Sequence, residues 1–213
     1  MASSPSVRYR FSFVEDHVST FDNLVAQIWG PRPIEPPSAE TSLEESRRKL
    51  LDAIAQSAFS NLRTYSNCCR STLWAVQTHL RLPDTGMIQA CSALAGGIAG
   101  TGETCGSVIG GLMAIGQALG SDGYHDIERD LRARAAAKAF VESFTEALGS
   151  TRCYGVQESL IGWICDDVSK NQAWQDANGL IACAAACGLA ARMAAEQVLQ
   201  SFDSQQEISS QTL

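Results

Sequence analysis

The chain has 213 residues, of which 45% are hydrophobic, 18% charged and only 7% aromatic, and its net charge is −7. That length suits one domain with an added arm, large enough to bury a core without disulfide staples. An acidic surface repels phosphate backbones, which excludes nucleic acid as an expected partner, and sparse Val, Ile and aromatic residues disfavour a β-rich fold.

Residues 1–10 read as a disordered tail and lack the apolar run of a signal peptide. No stretch of 18 apolar residues occurs, so the expectation is a cytoplasmic protein with no membrane span. Residues 13–29 set Phe13, Phe21, Leu24, Ile28 and Trp29 on an amphipathic helix. Residues 30–40 hold four of the six prolines and read as a semi-rigid linker. The expected organisation is an arm and linker over 1–40, a helical Cys/Gly-rich domain over 41–202, and a disordered tail over 203–213.

Ser42 and Glu45 form a capping box, and Leu43, Leu50, Leu51, Ile54 and Ala58 share one face of a helix over 42–59. Asn67 is the N-cap of the next helix, which carries Leu73, Val76 and Leu80 until the Leu82-Pro83-Asp84 stop. A further helix is expected over 84–95, ending at Gly96-Gly97. Val108, Leu112, Ile115 and Leu119 mark another, closed by Gly120. After a turn at 121–126, a long helix over 125–148 turns Ala133, Ala137, Phe140, Phe144 and Leu148 inward and ends at Gly149. Helices over 153–169 and 177–201 complete an all-α bundle of six or seven helices.

Residues 96–111, GGIAGTGETCGSVIGG, hold seven glycines around Cys105. A phosphate loop fails there: no strand precedes it, the third glycine is missing, and Glu103 stands where a lysine is required. Gly106 and Gly110, four apart, form a helix-packing face, and interior helical glycine costs roughly 1 kcal/mol relative to alanine. Thr104 as N-cap puts Cys105 in a first helical turn, where the helix dipole and free N–H groups favour a thiolate. Cys68 follows the cap Asn67, and Cys153 follows Ser150, another cap. Cys183 and Cys187 lie on one face of the last helix. Cys69 cannot face the same way as Cys68, because successive helical residues are about 100° apart. Cys69, Cys91 and Cys165 are taken as structural.

The histidines His17, His79 and His125 read as solvated or capping. Asp166 and Asp167 read as an exposed face, and Glu103 as a surface carboxylate. Neither G-x-S-x-G nor H-E-x-x-H is present, so hydrolase chemistry has no support. The long cysteine spacings lack the C-x₂₋₄-C pairs of ordinary zinc sites.

The segments YSNCCRSTLWAV, GGIAGTGETCGSVIGGLMAIGQALG, LGSTRC and CAAACGLAARMAAE resemble, in this order, the C_GCAxxG_C_C family of redox-active proteins over roughly residues 50–200. The central motif reads Cys105-Gly106-Ser107-Val108-Ile109-Gly110, with serine where alanine is usual. The resemblance implies four ligand cysteines, Cys68, Cys105, Cys153 and Cys183, with Cys187 as the fallback for the last. A related domain of split-Soret cytochromes c holds an iron–sulfur cluster, which implies a 2Fe–2S-type site here. The absence of C-x-x-C-H excludes c-type haem.

The leading reading is a redox-active helical protein whose cluster serves electron transfer or a redox reaction on a small molecule. Gly97, Gly100, Gly102 and Gly106 would then supply close backbone approach to the cofactor. Two alternatives stay open: a metal-free thiol or disulfide enzyme with Cys105 as its catalytic thiol, and a non-catalytic helical adaptor. Glycine-faced helices also permit a homodimer.

Overall fold

A computed structural model describes residues 39–211 except 124 and 125. The expected helix over 13–29, nearly all of the proline-rich linker, His17 and His125 lie outside the described residues.

Eight α-helices run through the described chain: α1 (Ala39–Tyr65), α2 (Cys68–Leu80), α3 (Met87–Ala90), α4 (Gly106–Leu119), α5 (Ile127–Leu148), α6 (Cys153–Ile161), α7 (Asn171–Asp176) and α8 (Gly179–Gln211). Short 3-10 turns cover Cys91–Ala93 and Val168–Lys170. The architecture is all-α, with eight α-helices where six or seven were expected and no strand among the described residues.

α8 is the hub, and α1, α2, α4, α5, α6 and α7 all pack on it. Its alanines explain why. Ala184, Ala185, Ala186, Ala190, Ala191, Ala194 and Ala195 are buried on every side of the helix, so neighbours approach its backbone all round. Two apolar clusters form on opposite flanks. One is built on Phe140, Phe144, Val156 and Leu160, with Val108, Ile115 and Leu119. The other is built on Leu51, Ile54, Leu73 and Val76. α8 is long and apolar enough to cross a membrane by length and composition, but 78% of its apolar window is buried inside the protein. Arg192, only 8% exposed, pairs there with Asp52 of α1. Hydrophobicity all round is what a central helix requires.

Several boundaries differ from the sequence reading. α1 starts before Ser42 and continues to Tyr65, because Phe59 and Leu62 extend its buried face. The expected helix over 84–95 is one α-turn and a 3-10 turn. Arg70 Nε and Asn67 Nδ2 donate to the carbonyls of Ile88 and Cys91, so side chains of α2 take acceptors that a longer helix would use. The helix expected over 153–169 stops at Gly162, left-handed at φ 83°. Asp167 then caps the following 3-10 turn by accepting from Ser169 N. α8 continues through Gln211, so the expected tail is helical to that point.

Candidate functional site

α2 begins at Cys68 because Asn67 caps it, its Oδ1 accepting from Arg70 N at 2.9 Å. α4 begins differently from expectation. Cys105 itself is the N-cap, and Thr104 instead bridges to Arg152 in an antiparallel pair. α6 begins at Cys153 with Arg152 as N-cap, while Ser150 Oγ accepts from Arg152 N one step earlier. Cys68 and Cys153 open their helices as the sequence reading placed them, whereas Cys105 stands one residue before α4 rather than in its first turn.

The glycine loop before α4 turns the opposite way from a helix. Gly96, Gly97, Ile98, Ala99 and Gly100 all have φ between 54° and 80°. This left-handed turn is closed by Gly102 N to Gly96 O and Glu103 N to Gly97 O. Each non-glycine in this region costs roughly 1–2 kcal/mol, which is why glycine holds three of the five positions. The loop then lies against 150–154. Cys105 N donates to Thr151 O at 2.8 Å and Cys153 N to Glu103 O at 2.6 Å. Glu103 itself is exposed and paired with Arg152 at 3.0 Å.

These starts, with α8, surround a cavity of about 220 Å³. Cys68, Cys105, Cys153, Cys183 and Cys187 all line it, closed in by Leu62, Val156, Trp174 and Leu180 among others. All four expected ligands are thus brought to one space, together with the fallback. A larger open groove of about 620 Å³, bordered by Arg152, Tyr154 and Lys170, is lined by no cysteine.

The glycines divide by role. A Cβ on Gly106 would stand 2.3 Å from Cys68 Sγ, and one on Gly110 2.4 Å from Cys69 O. These two glycines let α2 and α4 meet backbone to backbone, as their four-residue spacing suggested. A Cβ on Gly97 would meet Cys153 Cβ at 2.6 Å, and one on Gly102 would strike the Tyr154 ring at 2.1 Å. Gly100 is exposed with open space around its Cβ position. The glycine that lines the cavity is Gly96.

Burial dominates the electrostatics. The Cys105 thiol is pushed up to about 11, first by desolvation and then by Cys68, although Ser107 Oγ and the N–H groups of Ser107 and Val108 pull it down. The helix-start N–H groups do act on this sulfur, but the expected lowered pKa is reversed because burial outweighs them. Cys153 is pushed up to about 12 by burial, then by Cys105 and Cys68. Cys183 and Cys187 are raised as well, chiefly by burial. Without a metal, burial keeps the Cys105, Cys153, Cys183 and Cys187 thiols neutral at pH 7.

Two participants went unnoticed in the sequence. Gln157 Nε2 lies 3.6 Å from Cys153 Sγ, while its Oε1 accepts from Cys165 N. Its position four residues after Cys153 was the available signal. Trp174 lines the cavity, and its indole N–H is buried without a partner. Ser107 Oγ lies 3.1 Å from Cys105 Sγ. Cys69 faces away from the cavity, as the 100° argument required, and Cys165 contacts Asn171. His79 sits beside Ser57 at 2.8 Å, apart from the cysteines. Asp166 pairs with Lys170.

The sequence profile of the family described as Putative redox-active protein (C_GCAxxG_C_C) matches residues 66–197. The chain belongs to this family. Searches of curated proteins and of solved structures found no match. The match begins one residue before the α2 cap and ends in α8, so it contains all eight cysteines.

Proposed function

We propose that the cavity is the seat of an iron–sulfur cluster of the 2Fe–2S type, held by Cys68, Cys105, Cys153 and Cys183, and that this redox-active protein transfers electrons or uses them on a small molecule. The observation that carries this reading is the convergence of four cysteines from four different helices on one 220 Å³ space. A four-thiolate set is what such a cluster takes.

Other features fit the group. Among the described residues, no three His, Cys, Asp or Glu side chains are grouped to hold a single metal ion. Thiols spread around a cavity favour a multi-atom group over one zinc ion. The Trp174 N–H and Gln157 Nε2 are donors on the lining, and donors toward sulfur tune such centres. The cluster, when bound, supplies one-electron chemistry. The chain's own residues do the rest. Val156, Leu62 and Leu180 keep water out. The clamp between 103–105 and 151–153 holds two thiols in place. Loading would release the protons that burial retains on Cys105, Cys153 and Cys183.

Cys183 is favoured over Cys187. The Cys183 thiol is raised first by burial and then by Cys105 and Cys153, whereas the Cys187 sulfur is turned toward the Cys68 carbonyl at 3.7 Å. The metal-free thiol enzyme loses ground, because a nucleophilic thiol needs a lowered pKa and that of Cys105 is raised.

The test is anaerobic purification with a visible spectrum and assays of iron and acid-labile sulfide. About two irons and two sulfides per chain are expected for this cluster type. Colourless protein without either, after attempted reconstitution, ends the reading.

A further inference from the structure

Cys69 and Cys91 stand outside the cavity, and the sequence reading gives them no chemistry. The structure brings them together with a third sulfur. Cys69 Sγ lies 3.2 Å from Cys91 Sγ, and Met113 Sδ lies 3.8 Å from Cys69 Sγ and 3.9 Å from Cys91 Sγ. The three belong to three elements: the first turn of α2, the 3-10 turn after α3, and the middle of α4.

The triangle has the dimensions of a coordination site. The point equidistant from its corners, its circumcentre, lies about 2.1 Å from each sulfur, close to the ~2.3 Å of a metal–thiolate bond. A spread of a few tenths of an ångström suffices. The donors are two thiols and a thioether, and this all-sulfur set selects a soft ion, Cu(I) above all. We propose that Cys69, Cys91 and Met113 form a trigonal binding site for Cu(I), separate from the cavity.

The surroundings hold this triangle in place. Gly110 admits the Cys69 backbone close to α4, which sets Cys69 against Met113. Asn67 caps α2 through Oδ1 and donates from Nδ2 to Cys91 O at 3.3 Å. Arg70 reaches Ser92 Oγ at 2.6 Å, so a guanidinium stands beside the 3-10 turn. Two thiolates and one Cu(I) carry a net negative charge that this cation offsets. Cys69 and Cys91 are 0% exposed, while Met113 is only half-buried. Its flexible thioether is the side from which an ion enters. On binding, two S–H bonds break and two Cu–thiolate bonds and one Cu–thioether bond form. Two protons pass to solvent, and no electron moves.

The competing use of a close cysteine pair is a disulfide, which has no need of Met113. The test is an anaerobic titration of the full-length chain with Cu(I) against a chromogenic Cu(I) chelator. It is run on the wild type, on Cys105→Ser/Cys183→Ser, which disables the cavity, and on that variant with Met113→Leu added. Tight uptake of one Cu(I) is expected to survive Cys105→Ser/Cys183→Ser and to weaken at least about tenfold with Met113→Leu. X-ray absorption should count three sulfur neighbours, falling to two with Met113→Leu. In the wild type, copper should slow alkylation of Cys69 and Cys91, both 0% exposed, in denaturant that opens the metal-free chain, which needs no variant to fold. Three results overturn the proposal: indifference to Met113→Leu, shielding confined to the cavity cysteines, or a Cys69–Cys91 disulfide in place of copper uptake. Iron and sulfide contents play no part, so the outcome is independent of the proposed cluster.

Discussion

Cys105 and Cys153 are tied to each other's approach segments. The N–H of Cys105 donates to Thr151 O, and the N–H of Cys153 donates to Glu103 O. Two helices thus start side by side with their cysteines held by one reciprocal clamp. The left-handed turn at 96–100 delivers the chain to that clamp, and Gly97 is where turn and clamp touch.

Gly97→Ala should therefore damage the site far more than Gly100→Ala, although both glycines have positive φ. At Gly97 the new Cβ meets Cys153 Cβ at 2.6 Å and Glu103 N at 2.7 Å. Overpacking and left-handed strain together amount to about 3 kcal/mol or more. At Gly100 only the strain acts, roughly 1 kcal/mol. For a chain of this size that means a melting point lowered by about 6–12 °C against 2–4 °C, read by thermal unfolding. Equal shifts would show that the clamp is not sensitive to this contact.

Gly106→Ala and Gly116→Ala form a second contrasting pair on one helix. The Gly106 Cβ would press on Cys68 Sγ at 2.3 Å, whereas Gly116 is exposed with nothing within 4 Å. Gly116→Ala should stabilise by about 0.5–1 kcal/mol through helix propensity. Gly106→Ala should destabilise by about 1–3 kcal/mol and lower the iron content of reconstituted protein. Destabilisation by both would mean that α4 tolerates alanine nowhere.

The sequence revealed what local chemistry controls. Asn67 and the helix-start cysteines were readable because caps act over three or four residues. The opposed facing of Cys68 and Cys69 follows from helical geometry, and so does the pairing of Gly106 with Gly110. What depends on distant segments was hidden. The pairing of 102–105 with 151–154 joins segments some fifty residues apart, and Thr104 gives up its expected capping role to bridge Arg152. The raised Cys105 pKa comes from burial by helices far along the chain, which helix-dipole reasoning leaves out. Gln157 and Trp174 are ordinary residue types that gain meaning only beside the cavity.

The neutral buried thiols make the metal-free protein sensitive to alkali. Cys105 and Cys153 have folded values raised to about 11 and about 12 from an ordinary 9.0. The folded state then binds more protons than the unfolded state above pH 9, so stability falls as pH rises. Each thiol costs about 1.4 kcal/mol per pH unit until its folded value is reached. Between pH 9 and pH 10 these two thiols should cost metal-free protein about 2 kcal/mol, and the raised Cys183 and Cys187 add to that loss, which denaturant titration follows. Cys153→Ala should remove about 1 kcal/mol of that loss. A slope unaffected by the substitution would place the titrating groups elsewhere.

Ser107 occupies the family position where alanine is usual, and its Oγ lies 3.1 Å from Cys105 Sγ. It pulls the thiol pKa down against burial, so it stabilises negative charge on that sulfur. Ser107→Ala removes this contact with little change of volume. A hydrogen bond to a charged group is worth roughly 1.5 kcal/mol, so a ligand at Cys105 should show a reduction potential lower by on the order of 50 mV. Equilibrium redox titration of the reconstituted protein measures this. An unchanged potential would remove Cys105 from the ligand set or Ser107 from its vicinity.

Cys183 and Cys187, one helical turn apart, provide the sharpest discrimination at the site. Both line the cavity, but Cys187 is fully buried and turned toward the Cys68 carbonyl, whereas Cys183 keeps some exposure and is raised by burial and then by Cys105 and Cys153. Cys183→Ser should abolish stable cluster assembly, since serine is a poor substitute for a thiolate on iron. Cys187→Ser should retain iron and sulfide and cost about 1–3 kcal/mol of stability, because it puts a hydroxyl into a packed interior. Iron and acid-labile sulfide assays on the two reconstituted variants, paired with their melting curves, separate the roles. Loss of the cluster with Cys187→Ser and its retention with Cys183→Ser would exchange them, and would require the Cys187 sulfur to leave the Cys68 carbonyl.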